Sequence, residues 1–302
     1  MNHAQGSAYE RLTAVAAQLK VPDAVREVAT APPGDPEPGQ IWRAVWEHTV
    51  QLVVITVVDN DTVQAIPASL ERYTDTHTLL LPAEASTLEQ PLALWWGLRQ
   101  PLPWWVLDRQ VSQLTVPLPA SLQPDLPHEV PPGARWGSAV PSPAAAAAEY
   151  RGVLVDNLAR LSTSRWQPEG TGALPQLLQQ QGINAKQLAA HLQLQPPQAL
   201  SVWRGQAPLT PDQAQSLAEH LGLGADEILA ANPALPPAVV HELNRPLRRW
   251  QVRTLAAQHA ETEEQARLRA AFGVFALAAR QEDRNDTYWA ARADRYFEMR
   301  LG

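Results

Sequence analysis

The sequence predicts an α+β chain in several parts: a small N-terminal antiparallel β-barrel, a proline-rich linker and an all-α half. Three observations predict it. Short runs rich in Val, Ile, Leu and Trp fill residues 40–116, eight prolines crowd residues 117–143, and from residue 174 apolar side chains return at three- and four-residue spacing. The first pattern is that of short strands, the second that of a semi-stiff spacer, and the third that of packed amphipathic helices. With 302 residues, 45% of them apolar, the chain can bury two or three cores.

Within residues 1–30, Leu12, Val15, Ala16, Leu19, Val25 and Val28 keep helical spacing and Pro22 divides them. Two short helices that cap or dock on the rest are expected there. Residues 31–39, APPGDPEPG, hold too much Pro and Gly for a helix and act as a connector.

The barrel is assigned to residues 38–116, with strands expected at 41–46, 50–58, 62–67, 78–81, 92–96 and 104–106. Asp59-Asn60-Asp61 supplies a tight turn, and Pro82-Ala83-Glu84 and Gln100-Pro101 punctuate the later runs. Six of the eleven tryptophans lie here: Trp42, Trp46 and the pairs Trp95-Trp96 and Trp104-Trp105. Strand neighbours face opposite sides, so one ring of each pair can fill the interior while the other meets a protein partner, a base, or a covering helix such as residues 9–28.

The order PGQIWRAVW, LVVITVV, DNDTVQAIPASL, LLLPAE and LALWWGLRQPLPWWVLDRQVSQL resembles the MazF/PemK toxin barrel family. That resemblance implies a barrel that binds or cuts RNA, using an arginine after the first strand and a Ser or Thr after the proline of a later one. Ser69 meets the second requirement. The loop Glu47-His48-Thr49-Val50-Gln51 lacks the arginine, which leaves His48 as the acid or base at hand and nothing to stabilise charge on a scissile phosphate. Ser69 and His48 are thus candidates only, and no enzyme activity is expected.

Residues 117–148 are read as the Pro/Ala-rich linker. Residues 149–161 show helical spacing and are expected to open the helical half, whose first domain is placed at 149–233.

Between residues 174 and 233 the punctuation is specific. Gly182-Ile183-Asn184 ends one helix and caps the next, Gly205 ends a third, and Thr210-Pro211-Asp212 is an N-cap followed by proline at the first helical position. The stretch QGINAKQLAAHLQLQPPQALSVWRGQAPLTPDQAQSLAEHLGLGADEIL resembles, within residues 174–232, the Cro-type (XRE) helix-turn-helix family. The resemblance implies five helices and binding to double-stranded DNA. Leu188 and Ala189 take the places where its two central helices touch, and Ala199 and Val202 become the inward residues of the recognition helix. Gln195, Gln198 and Ser201 fall on the base-reading positions, with Lys186 and Arg204 as nearby cations. Two departures stand out. Pro196, Pro197 and Ala185 occupy places that usually carry polar contacts, and Gln193 takes the turn position of a left-handed glycine, at a cost of roughly 1 kcal/mol.

From residue 234 to 302 three long helices are expected, at 238–260, 261–280 and 285–299, with Phe272, Phe275, Leu277, Tyr288, Trp289, Tyr296 and Phe297 facing inward. Helices after such a module commonly dimerise it, so a homodimer is expected, with an intramolecular clasp as the alternative. Arg245, Arg248, Arg249 and Arg253 share one side of the first helix and are candidates to grip phosphates; the alternative is a solvated face paired with acids such as Glu242.

Charge supports that division. The net charge is −7 and divides unevenly: residues 1–150 carry eight basic and sixteen acidic residues, residues 151–302 sixteen basic and fifteen acidic, so a nucleic-acid contact belongs to the second half. Residues 174–233 themselves carry Lys186 and Arg204 against Asp212, Glu219, Asp226 and Glu227, a balance of −2. The absence of cysteine excludes disulfides and thiol chemistry. No signal peptide or membrane span is present, so a cytoplasmic location is expected, and the Ala-, Leu- and Arg-rich composition suggests a bacterial source. The scattered histidines predict no metal site, and nothing calls for a cofactor.

The leading expectation is therefore a DNA-binding transcription regulator whose barrel senses a protein partner. The alternatives are a protein-interaction adaptor or antitoxin-like factor, as in a toxin–antitoxin or stress-response system, and an RNA-binding or RNA-cleaving barrel protein.

Overall fold

The computed structural model describes residues 31–118, 130–139, 145–166, 170–278 and 286–301. The helical element expected within residues 1–30 lies outside them. The described chain is α+β, with an N-terminal antiparallel sheet followed by helices.

Strands β1 (Gln40–Trp46), β2 (Thr49–Val58) and β3 (Thr62–Ser69) form a meander, and Asp59 donates to the Thr62 carbonyl in the turn anticipated between β2 and β3. β4 (Thr78–Leu81), β5 (Leu92–Trp95), β6 (Gln100–Pro103), β7 (Leu107–Gln113) and β8 (Arg135–Trp136) complete the sheet in the order β7-β1-β2-β3-β5-β4-β8, with β6 also paired to β3. In place of the expected barrel the sheet is open, with β7 and β8 at its two ends. It curls until an isolated bridge joins Ser86 to Leu114, while β7 and β8 stay unpaired with each other. Residues 104–106 form a short 3-10 turn instead of a strand, linking β6, which pairs with β3 despite Pro101 and Pro103, to β7, which pairs with β1. β8 is drawn from the proline-rich stretch read as linker and pairs with β4.

Both faces of the sheet are buried. Ile41, Val54, Ile66, Leu79, Leu94 and Trp96 pack on one, and Trp42, Val53, Ile55, Ala65 and Leu102 on the other. Period-two alternation produces this split, Ile41 and Trp42 pointing to opposite sides. The second face is covered by α1 (Ala146–Thr163), through Leu158 and Leu161. Sequence order assigned that helix to the helical half; packing puts it on the sheet. Tyr150 of α1 stacks near Trp95 (5.9 Å), whereas Trp96 meets Trp136 edge-on, so the adjacent indoles do face opposite ways. Trp42, Trp95 and Trp96 are buried and Trp46, Trp104 and Trp105 half-buried, which leaves no exposed stacking platform among them.

The remaining helices share one core. α2 (Leu174–Gln180), α3 (Ala185–His191), α4 (Pro196–Trp203), α5 (Pro211–Leu221) and α6 (Ala225–Ala230) occupy the five expected places. α7 (Pro237–Leu243), α8 (Pro246–His259), α9 (Glu263–Ala278) and α10 (Asp286–Leu301) pack around them, with Leu188, Val202, Leu217, Phe272 and Phe297 in a single cluster. The C-terminal helices thus clasp their own module. The single helix expected at 238–260 is two: Pro246 cannot donate and holds Arg245 extended (φ −65°, ψ 143°), so the chain breaks between α7 and α8. Gly273 allows close approach of α10, since a Cβ there would lie 2.1 Å from the Tyr296 ring.

Candidate nucleic-acid interface

The central pair, α3 and α4, is positioned by local chemistry. Asn184 and Gln187 form a capping box at α3, and Thr210 with Gln213 forms another at α5, behind Pro211. Gly222 ends α5 in the left-handed conformation (φ 69°). Between α3 and α4 the chain turns through Gln193 at φ 51°, and Leu194 donates to the Ala189 carbonyl at 3.0 Å. The turn is the left-handed one anticipated, made without glycine. Gln193→Gly is accordingly expected to stabilise the protein by about 0.5–1 kcal/mol, read as a higher urea midpoint at unchanged slope. No gain would mean that the glutamine side chain offsets the strain.

α4 buries Ala199 and Val202 as expected and presents Gln195, Gln198, Leu200 and Arg204 to solvent, with Ser201 half-buried. The Trp203 indole donates to the Ile183 carbonyl at 2.9 Å and locks α4 onto the turn before α3. Lys186 is exposed at the start of α3, and neither it nor Arg204 has an ion-pair partner among the described residues. Glutamine can donate to and accept from an adenine edge at once, so Gln195 and Gln198 are suited to base reading. Pro196 and Pro197 remove two donors from the α4 N-terminus, which weakens it as an anion site. A groove of about 290 Å³ beside α4 is lined by Pro197, Gln198, Ser201, Thr210, Gln213 and Ala276, the last contributed by α9.

The arginines behind the module are committed elsewhere. The expected phosphate grip of Arg245, Arg248, Arg249 and Arg253 is not assembled, because the fold spends all four on internal acceptors. Arg245, lying before α8, pairs with Asp35 and with Glu242 (3.3 Å), and the Asp35 hydrogen bond raises its pKa. Arg248, 2% exposed, reaches Glu242 at 2.6 Å and Asp294 at 2.7 Å. Arg249, 4% exposed, donates to Glu263 at 2.9 Å and to the carbonyls of Val45 of β1 (3.0 Å) and Trp105 of the 3-10 turn before β7 (2.7 Å). Arg253 pairs with Asp108 of β7, which also holds Arg43. α8 is thus the dock between sheet and helices.

The C-terminal helices help the module differently, by neutralising its acids. Arg300 pairs with Asp212 at 3.2 Å and Arg269 with Asp226 at 4.0 Å. Two of the four acidic residues between 174 and 233 are therefore balanced from α9 and α10.

Arg267 was not singled out by sequence: it stands with Arg269 in ARLRAAFGVF, and spacing alone does not say which of the two turns inward. It is fully buried, stacked 3.7 Å from the Trp166 ring centre, and donates to Asn244 and to the carbonyls of Leu243 (2.9 Å) and Trp166 (3.3 Å). Burial, with Arg249 nearby, brings its pKa down to about 9. It ends α7 from outside by satisfying a terminal carbonyl.

The barrel candidates do not form a constellation. Ser69 is buried, and its Oγ accepts from the Tyr150 hydroxyl and the Glu71 amide, both at 2.9 Å; His48 sits exposed at the β1–β2 turn. α3 and α5 bring His191 and His220 to a ring separation of 4.3 Å, but no group of three metal-binding side chains occurs among the described residues. No described helix is long and apolar enough to cross a membrane. Comparison with known proteins finds no matching family model, no similar curated protein and no similar solved structure.

Proposed function

We propose that the protein is a DNA-binding regulator that reads duplex DNA through α4, with two copies meeting a two-fold site. The observation that carries this reading is the exposed face bearing Gln195 and Gln198, with Lys186 on α3 and Arg204 at the end of α4 exposed and without an ion-pair partner among the described residues. The sheet half is the part that senses a partner. Because α8 is committed internally, the module's own two cations supply the phosphate contacts, and affinity depends on salt only shallowly.

The test is selection of bound fragments from a random duplex pool, followed by titration across salt. A two-fold motif is expected, with a slope of about −2 per protomer, since each neutralised phosphate contributes roughly −0.9. Lys186→Ala and Arg204→Ala should each flatten the slope by about one. A steep slope near −6 that survives both changes would overturn the assignment of cations.

A second reading is favoured by one observation: Leu200, 37% exposed, stands on the outer face of α4 next to the prolines at its start. An apolar reading helix suits a protein partner better than base edges, as in an adaptor or antitoxin-like factor. Absence of any DNA motif together with tight capture of a protein would select it.

A further inference from the structure

A cavity of about 400 Å³ opens at the seam between the two halves, lined by Trp46 and Glu47 of the β1–β2 turn, Arg165 and Trp166, Arg249 of α8, and Glu263 and Glu264 of α9. Its volume is in the range of small-molecule sites, and both sheet and helices supply its walls. Two of its charged groups are already engaged: Arg249 binds Glu263 and the carbonyls of Val45 and Trp105. Three are not. Glu47, Glu264 and Arg165 have no hydrogen-bond or ion-pair partner among the described residues.

The remaining wall is aromatic. Trp46 and Trp166 meet at 61° with ring centres 6.4 Å apart, and Trp166 is fixed by the guanidinium of Arg267 stacked on it. Glu47 is also one of four non-glycine residues in the left-handed region among the described residues, at φ 50°, so the turn holds a strained residue at the mouth of the cavity. Strain of this kind persists where surrounding structure imposes it and often marks a ligand site.

We infer that the seam cavity binds a small zwitterion with an apolar body, a free α-amino acid. Arg165 takes its carboxylate, Glu47 and Glu264 take its ammonium, and the side chain lies against the indoles. Uncommitted groups of both signs beside an apolar wall match that ligand better than a simple anion, which would face two carboxylates, or a simple cation, which would face Arg165. The inference stands apart from DNA reading, because binding at the seam is measured without DNA.

Isothermal titration of the full chain with L-tryptophan and L-leucine, each compared with its N-acetyl and amide derivatives, tests it. Both free amino acids should bind, and either cap should weaken binding about ten- to a hundredfold, the value of one charge-assisted hydrogen bond. Arg165→Ala should weaken the free amino acid but not its amide, and Glu264→Gln the free amino acid but not its N-acetyl form. Glu47→Gly removes a carboxylate and relieves the left-handed strain, so it should bind more weakly while melting no lower than the parent, a combination that general damage to the fold would not produce. No binding by either free amino acid, or equal binding of capped and free forms, would overturn the proposal.

Discussion

Glu242→Ala is expected to destabilise the protein by about 3–5 kcal/mol, read as a lower denaturant midpoint. Glu242 and Arg248 are 6% and 2% exposed and lie 2.6 Å apart, so the substitution leaves a guanidinium without its main counter-charge. Asp294, half exposed, cannot replace it fully from the far side. The cost is that of stranding a buried charge and exceeds what the pair itself contributes. Replacing both residues with apolar ones of similar volume, Glu242→Leu with Arg248→Met, should therefore recover most of the loss. A single-mutant effect below about 1 kcal/mol would show that water reaches the pair.

Trp42→Ala should cost a similar 3–5 kcal/mol, here through a cavity. The ring is fully enclosed with Val53, Ile55 and Leu102 and with Leu158 and Leu161 of α1, and its Nε1 donates to Gln40 Oε1 at 2.8 Å. Two terms can be separated. Trp42→Phe keeps most of the apolar area and loses the hydrogen bond, so it should cost only about 1–2 kcal/mol. Because α1 rests on this ring, amide exchange in its Leu154–Leu161 turns should quicken in Trp42→Ala before that of β2. Uniform quickening instead would mean that α1 and the sheet open only together.

The features legible in the sequence are those set by neighbours in the chain. Asn184 and Thr210 cap their helices, and Gln193 takes the left-handed turn, because those conformations depend on residues two to five positions away. The β2–β3 turn at Asp59-Asn60-Asp61 was readable for the same reason. What failed was long-range. Asp108 meets Arg253, and Arg249 reaches Val45, from more than a hundred positions apart, so no spacing rule distinguishes these arginines from a solvent-facing row. α1 has the composition of any amphipathic helix, and only the uncovered face of the sheet decides where it packs. The open sheet was hidden for a related reason: strand count can be read from pattern, but closure depends on how far the sheet coils.

An unclosed sheet keeps two edges, each a row of unpaired peptide groups able to recruit another chain. This one leaves little to recruit. Along β7, Thr87 donates to the Gln113 carbonyl at one end, and α8 lies over the other through Arg253 and Asp108. The opposite edge, β8, is two residues long, and β6 carries Pro101 and Pro103. Short, covered or proline-bearing margins are the usual defence against edge-to-edge aggregation. Arg253, the member of the arginine row that reaches β7, thus helps cover that edge, and Arg253→Ala is expected to show first as loss of solubility.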